Sequence, residues 1–241
     1  MFVKKKVSPV MIPSECGLLE GMFYQNNGKN KSLALLLHPH PVYKGSMNNK
    51  IVMLMTHVFC DLDFDVLRIN FRGVGKSHGK FDDGKGEVTD ALEAIDWLFQ
   101  QYRDQNINHA WIGGFGFGAL IGLQAVMRRP DVTGFISISP PDASLNSINT
   151  LTPCPNGLLV SAENDHHVSP HKVEELANSL YRRQNASIEY KCIEDENHYF
   201  SYHTDKLYDV INLYLCRQLG RACSQDVHMK YNFLSKVQCA A

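Results

Sequence analysis

The 241-residue chain predicts an α/β fold, with one mostly parallel sheet covered by helices on both faces. Two observations point there. Short continuous apolar runs alternate with segments of helical period along the whole chain, and that alternation is the pattern of parallel strands joined by crossover helices. Hydrophobic residues make up 44% and charged residues 20%, enough to bury one substantial core and too apolar for disorder. A single domain over residues 1–220 is expected, followed by a C-terminal tail over 221–241.

Two opening strands are read at residues 7–11 and 18–24, the first weakened by Pro9, with Gly17 and Asn26-Asn27-Gly28 as turn residues. The run Leu33-Ala34-Leu35-Leu36-Leu37 has no polar alternation, as expected of a strand buried on both faces. Residues 65–70, 110–113, 135–138 and 158–160 repeat that character, and a last strand spans 187–193. Between them, Val88, Ala91, Leu92, Ile95 and Leu98 recur at helical spacing with Glu93 and Asp96 opposite. Residues 49–60, 117–127, 170–181 and 205–219 are the other expected helices, Pro170 standing where a first turn tolerates it.

The composition narrows the partners. A net charge of −1 and one short basic run, Lys4-Lys5-Lys6, give no footprint for nucleic acid. Two prolines break the segment after those lysines, and no window reaches the roughly 18 apolar residues of a membrane span. Seven cysteines without regular spacing suit reduced thiols in a cytoplasmic protein.

In open sheets of this kind ligands sit beyond the carboxyl ends of the strands. Gly114-Phe115-Gly116-Phe117-Gly118 falls between an apolar strand and a helix. It has the layout of the Gly-x-Ser-x-Gly elbow that throws an attacking serine forward, but Gly116 holds the serine's place. His38-Pro39-His40-Pro41 follows the third strand. An oxyanion hole takes one backbone NH from such a loop and one from the residue after the nucleophile. Prolines supply none, which leaves His40 and Phe117 as the candidate donors. The loops carrying Asp165 and His198 come later, in the chain order of acid and base. Asn70-Phe71-Arg72-Gly73-Val74-Gly75-Lys76-Ser77 approaches a phosphate-binding loop, but Asn70 replaces its first glycine and no helix opens directly after it.

Together these motifs resemble the small, lidless bacterial α/β hydrolases related to dienelactone hydrolase, which have a His-Pro-His-Pro oxyanion loop. The matching stretches are 38–49, 70–77, the helix over 86–98, the elbow, Met127-Arg128-Arg129-Pro130, Asp165 and Asn197-His198-Tyr199-Phe200. They cover about residues 7–220. The resemblance implies the α/β-hydrolase fold without a cap domain, residues 140–155 being too few for one. It also implies Asp165 as triad acid, His198 as base, His40 and Phe117 as oxyanion donors, and Gly116 at the nucleophile position. Lys44 and Glu163 depart from the small residue and the aspartate usual at their positions.

Three functional readings stay open. In the first, the chain binds a small ester-like ligand or a partner without covalent catalysis. The second keeps an esterase, either through a water activated by His198 or as a serine hydrolase inactivated by a Ser-to-Gly change. The third builds a metal site from His38, His40, His166, His167 and His198, with His171 nearby. The first two imply no cofactor. Nothing in the sequence fixes the oligomeric state.

Overall fold

The computed structural model describes residues 6–26, 31–142, 154–184 and 187–222. Eight strands form one sheet in the order β1-β2-β4-β3-β5-β6-β7-β8. They are β1 (Lys6–Ser14), β2 (Gly17–Gln25), β3 (Lys31–Leu37), β4 (Asp65–Ile69), β5 (Ile107–Phe115), β6 (Gly134–Ile138), β7 (Asn156–Asn164) and β8 (Ile188–Asn197). In this sheet β2 runs against both of its neighbours, and the other pairs from β4 to β8 are parallel. The first strand extends through both Pro9 and Pro13 because it lies at the sheet edge, where a missing NH interrupts no ladder.

Among the described residues five α-helices cover the sheet: α1 (Lys50–Asp61), α2 (Lys85–Gln100), α3 (Phe117–Val126), α4 (Pro170–Gln184) and α5 (Thr204–Gln218). The alternation of a strand divides their packing. Leu33, Leu35 and Leu37 of β3 join the core beneath α2, α3 and α4. Ala34 and Leu36 face the second core, with α1 and α5. Asn49 caps α1, its side chain accepting the Ile51 NH at 2.9 Å.

The expected elements are all present, and their ends differ in places. The eighth strand runs four residues past the apolar pattern, to Asn197, carrying the acidic Glu194-Asp195-Glu196 stretch onto the sheet. Residues 143–153, where a cap would be inserted, and the tail beyond residue 222 lie outside the described residues, as do Asn27 and Gly28. Among the described residues no helix is long and apolar enough to cross a membrane.

Chain order and sheet order part company at β3. From there the sheet proceeds outward through β4 on one side and through β5 to β8 on the other. The carboxyl ends of β3 and β5 therefore flank the switch point where such folds bind ligands.

Candidate active site

Gly116 occupies the turn between β5 and α3 with φ 55° and ψ −119°, a region that strains any residue with a Cβ. Its NH donates to Ile138 O of the adjacent strand at 2.9 Å, and its carbonyl accepts from Ala119 and Leu120. The turn is thus tied both to β6 and to the first turn of α3.

The three glycines of the motif are glycines for different reasons. A Cβ on Gly114 would meet Gly118 O at 2.2 Å, and one on Gly118 would meet the Leu37 and His38 carbonyls at 2.5 Å. Those two permit β5, α3 and the end of β3 to approach. A Cβ on Gly116 would meet only Pro39 Cβ, at an ordinary 3.6 Å. Space for a side chain exists there; only the backbone conformation favours glycine.

The loop after β3 faces this turn. His38 is fully buried with both ring nitrogens engaged, Nδ1 with Pro39 O at 2.6 Å and Nε2 with the Phe71 NH at 3.0 Å. Those partners require hydrogen on Nδ1 and a neutral ring, and burial pushes its pKa down to about 4, against the Pro39 carbonyl. His40 O accepts the Tyr43 and Gly45 NH groups, closing the turn. Its ring packs on Phe117 at 4.8 Å and Phe81 at 5.0 Å. Burial lowers the His40 pKa, while Glu87 and Asp83 act against that shift.

Asp165 and His198 meet although 33 residues separate them. Asp165 Oδ2 lies 2.8 Å from His198 Nδ1, and Oδ1 accepts the His167 and Val168 NH groups at 2.8 and 2.9 Å. The acid side chain is wholly inaccessible and the imidazole 16% exposed. Burial opposes the charge on Asp165, but the His198 bond and the two backbone donors together hold its pKa below the ordinary carboxylate value. With Nδ1 committed to Asp165, Nε2 is the nitrogen left for the cleft.

His198 stacks near Phe115, with ring centroids 5.2 Å apart. Behind it, buried Glu196 accepts the NH groups of Asn197 and Tyr202 and so braces the loop. Gly116, His40, Phe117 and His198 line one cleft of about 500 Å³, and Asp165 lies behind His198. The expected site residues therefore converge.

Two other motifs of the sequence bear on the site, and the first agrees with its reading as no phosphate loop. Glu20 fills the phosphate position of the Asn70 to Ser77 loop, accepting Asn70 Nδ2 and the Lys76 NH at 2.8 Å each. No α-helix begins after that loop until Lys85. The histidines of the metal reading are also dispersed in their bonding: His38 is saturated, His198 is held by Asp165, and His171 lies 3.6 Å from Glu175 of its own helix. Among the described residues no three His, Cys, Asp or Glu side chains form a ligand set.

One group in the cleft was not singled out in the sequence. Ser139, immediately after β6, is fully buried at φ 43° and lines the cleft, and its Oγ has no hydrogen-bond partner among the described residues. A left-handed non-glycine residue costs about 1–3 kcal/mol and a buried unpaired hydroxyl a similar amount. The only signal in the sequence is a serine placed between an apolar strand and Pro140-Pro141, which is weak.

The comparisons with known proteins agree with this architecture. Residues 45–153 match the family model described as alpha/beta hydrolase fold. An uncharacterized protein of Rickettsia prowazekii is 44% identical over 203 residues, covering 83% of this chain and 84% of that one. A crystal structure of a putative alpha/beta hydrolase from Agrobacterium tumefaciens superposes with TM-score 0.82 at 36% identity, covering 88% of this chain and 97% of the other. A Xanthomonas campestris structure, described as an a/b serine hydrolase without lid, gives TM-score 0.78 at 26% identity, with 88% and 95% covered. The chain belongs to the α/β hydrolase fold family.

Proposed function

We propose that this protein binds a small ester- or acid-like molecule in the cleft without forming the acyl-enzyme of a serine hydrolase. One observation carries the reading: Gly116 has the backbone conformation and neighbours of an elbow nucleophile, beside a paired Asp165 and His198, and has no side chain to attack with. Asp165 orients His198, whose Nε2 faces the ligand. The NH groups of His40 and Phe117 receive its carbonyl oxygen.

The loss is large in rate. Removing the serine of such a triad lowers turnover by about 10⁶ and leaves roughly 10³ over water from the remaining parts. A second reading uses those parts: His198 activates a water lodged beside Gly116. The open Cβ direction of Gly116, bounded by Pro39 at 3.6 Å, favours it. A serine esterase inactivated by a Ser-to-Gly change at Gly116 would present the same site.

Hydrolysis of p-nitrophenyl acetate by the chain and by His198→Ala separates the readings. Turnover no higher than about 10³ over buffer is expected. Its disappearance in His198→Ala supports the activated water, and an unchanged rate removes that role. Turnover of the unmodified chain at the rate of a serine esterase would overturn the non-covalent reading. The proposed setting is cytoplasmic, on the irregular odd set of cysteines, and neither nucleic acid nor membrane is proposed as a partner.

A further inference from the structure

In the β5–β6 ladder Phe115 pairs with Ile138, so the next residues, Gly116 and Ser139, leave the sheet side by side. The Ser139 NH is committed to Val160 O at 2.8 Å, while its hydroxyl is unpaired among the described residues. Buried hydroxyls are nearly always paired, and this one belongs to a residue that borders a ligand-sized cleft in a strained backbone. Strain of this kind concentrates at ligand sites.

The surrounding groups specify the missing partner. The Phe117 and Gly118 NH groups, at the start of the ten-residue α3, have no intrahelical acceptor and carry the positive end of the helix dipole. Lys44 lines the same cleft and makes no ion pair among the described residues, while no described Asp or Glu lines it. Asp165 has its oxygens committed to His198, His167 and Val168. The lining is therefore rich in donors and holds no described carboxylate of its own, the nearest, Asp165, being engaged behind His198.

An ester carbonyl offers one oxygen to such a site; a carboxylate offers two and a charge. In a serine enzyme the nucleophile's Oγ would fill the second oxygen's place, and here glycine leaves it open. We propose that the cleft takes a free carboxylate, one oxygen at the start of α3 and the other between His198 and the Ser139 hydroxyl. The apolar acyl or aryl part extends between Phe115 and Phe117 toward Tyr43 and Tyr199, which are 83% and 59% exposed at the mouth. This rests on the ligand-binding reading above and names its ligand class.

Titration calorimetry of the full chain with benzoate and hexanoate, each beside its methyl ester, tests it. The acids are expected to bind about tenfold or more tightly than the esters, as hydrogen bonds to a charged group do. Ser139→Gly removes the hydroxyl and suits the φ of 43°. It is expected to weaken acid binding about tenfold with ester binding little changed. Ester binding equal to or tighter than acid binding overturns the carboxylate assignment while leaving the ligand-binding reading standing. Acid binding unchanged in a folded Ser139→Gly removes Ser139 from the site. Binding of neither acids nor esters overturns both.

Discussion

His198 Nδ1 lies 2.8 Å from Asp165 Oδ2, across two loops that leave the neighbouring strands β7 and β8. The pair is positioned by backbone, since Asp165 Oδ1 is fixed by the NH groups of His167 and Val168. In a Gly116→Ser background, Asp165→Asn is expected to lower kcat by about 10⁴, because the amide no longer selects the productive histidine tautomer. Its side-chain oxygen can still accept the two backbone bonds, so the melting temperature should move little. Steady-state kinetics beside a thermal melt checks this; a lower melting temperature with unchanged kcat would make the pair structural only.

The elbow glycines separate steric need from conformational need. Gly114→Ala and Gly118→Ala each force a Cβ into backbone at 2.5 Å or less, whereas Gly116→Ala meets nothing closer than 3.6 Å. The first two are expected to destabilise the fold by about 3 kcal/mol or more. For Gly116→Ala only the backbone penalty remains, about 1–3 kcal/mol. Urea denaturation orders the three variants; Gly116→Ala as the most damaging would contradict the open space at the elbow.

His38 couples the oxyanion loop to pH. Its folded pKa is about 4 against an unfolded value of 6.5. Between those values the unfolded chain binds more protons, so the stability from this residue is full above 6.5 and is lost as pH falls toward 4. The loss is on the order of 3 kcal/mol. Unfolding free energies at about pH 7 and about pH 4.5 for the protein and for His38→Gln measure it. Equal pH slopes in the two would show that His38 is not held neutral.

The layers of the fold were legible because the strands are buried on both faces and read as apolar runs, as at Leu33 to Leu37. The convergence of Asp165, His198 and Gly116 at the candidate site was legible because they fall at strand ends in a telling order. What the sequence hid depends on contacts between distant residues. Glu196 lies in an acidic run that reads as a solvated loop, yet it is buried as an acceptor of backbone NH groups. Arg72 and Asp90 make a buried ion pair at 2.8 Å that no local pattern announces. The unpaired hydroxyl of Ser139 is visible only once β6 lies against β5.

The most direct measurement is pre-steady-state hydrolysis of p-nitrophenyl acetate by Gly116→Ser, with intact-mass analysis of the quenched protein. If only the nucleophile is missing, one equivalent of p-nitrophenol appears in a burst, the introduced hydroxyl carries an acetyl group, and turnover rises by about 10³ or more over the unmodified chain. A folded Gly116→Ser protein with no burst and no acetyl adduct would contradict a hydrolase site otherwise complete.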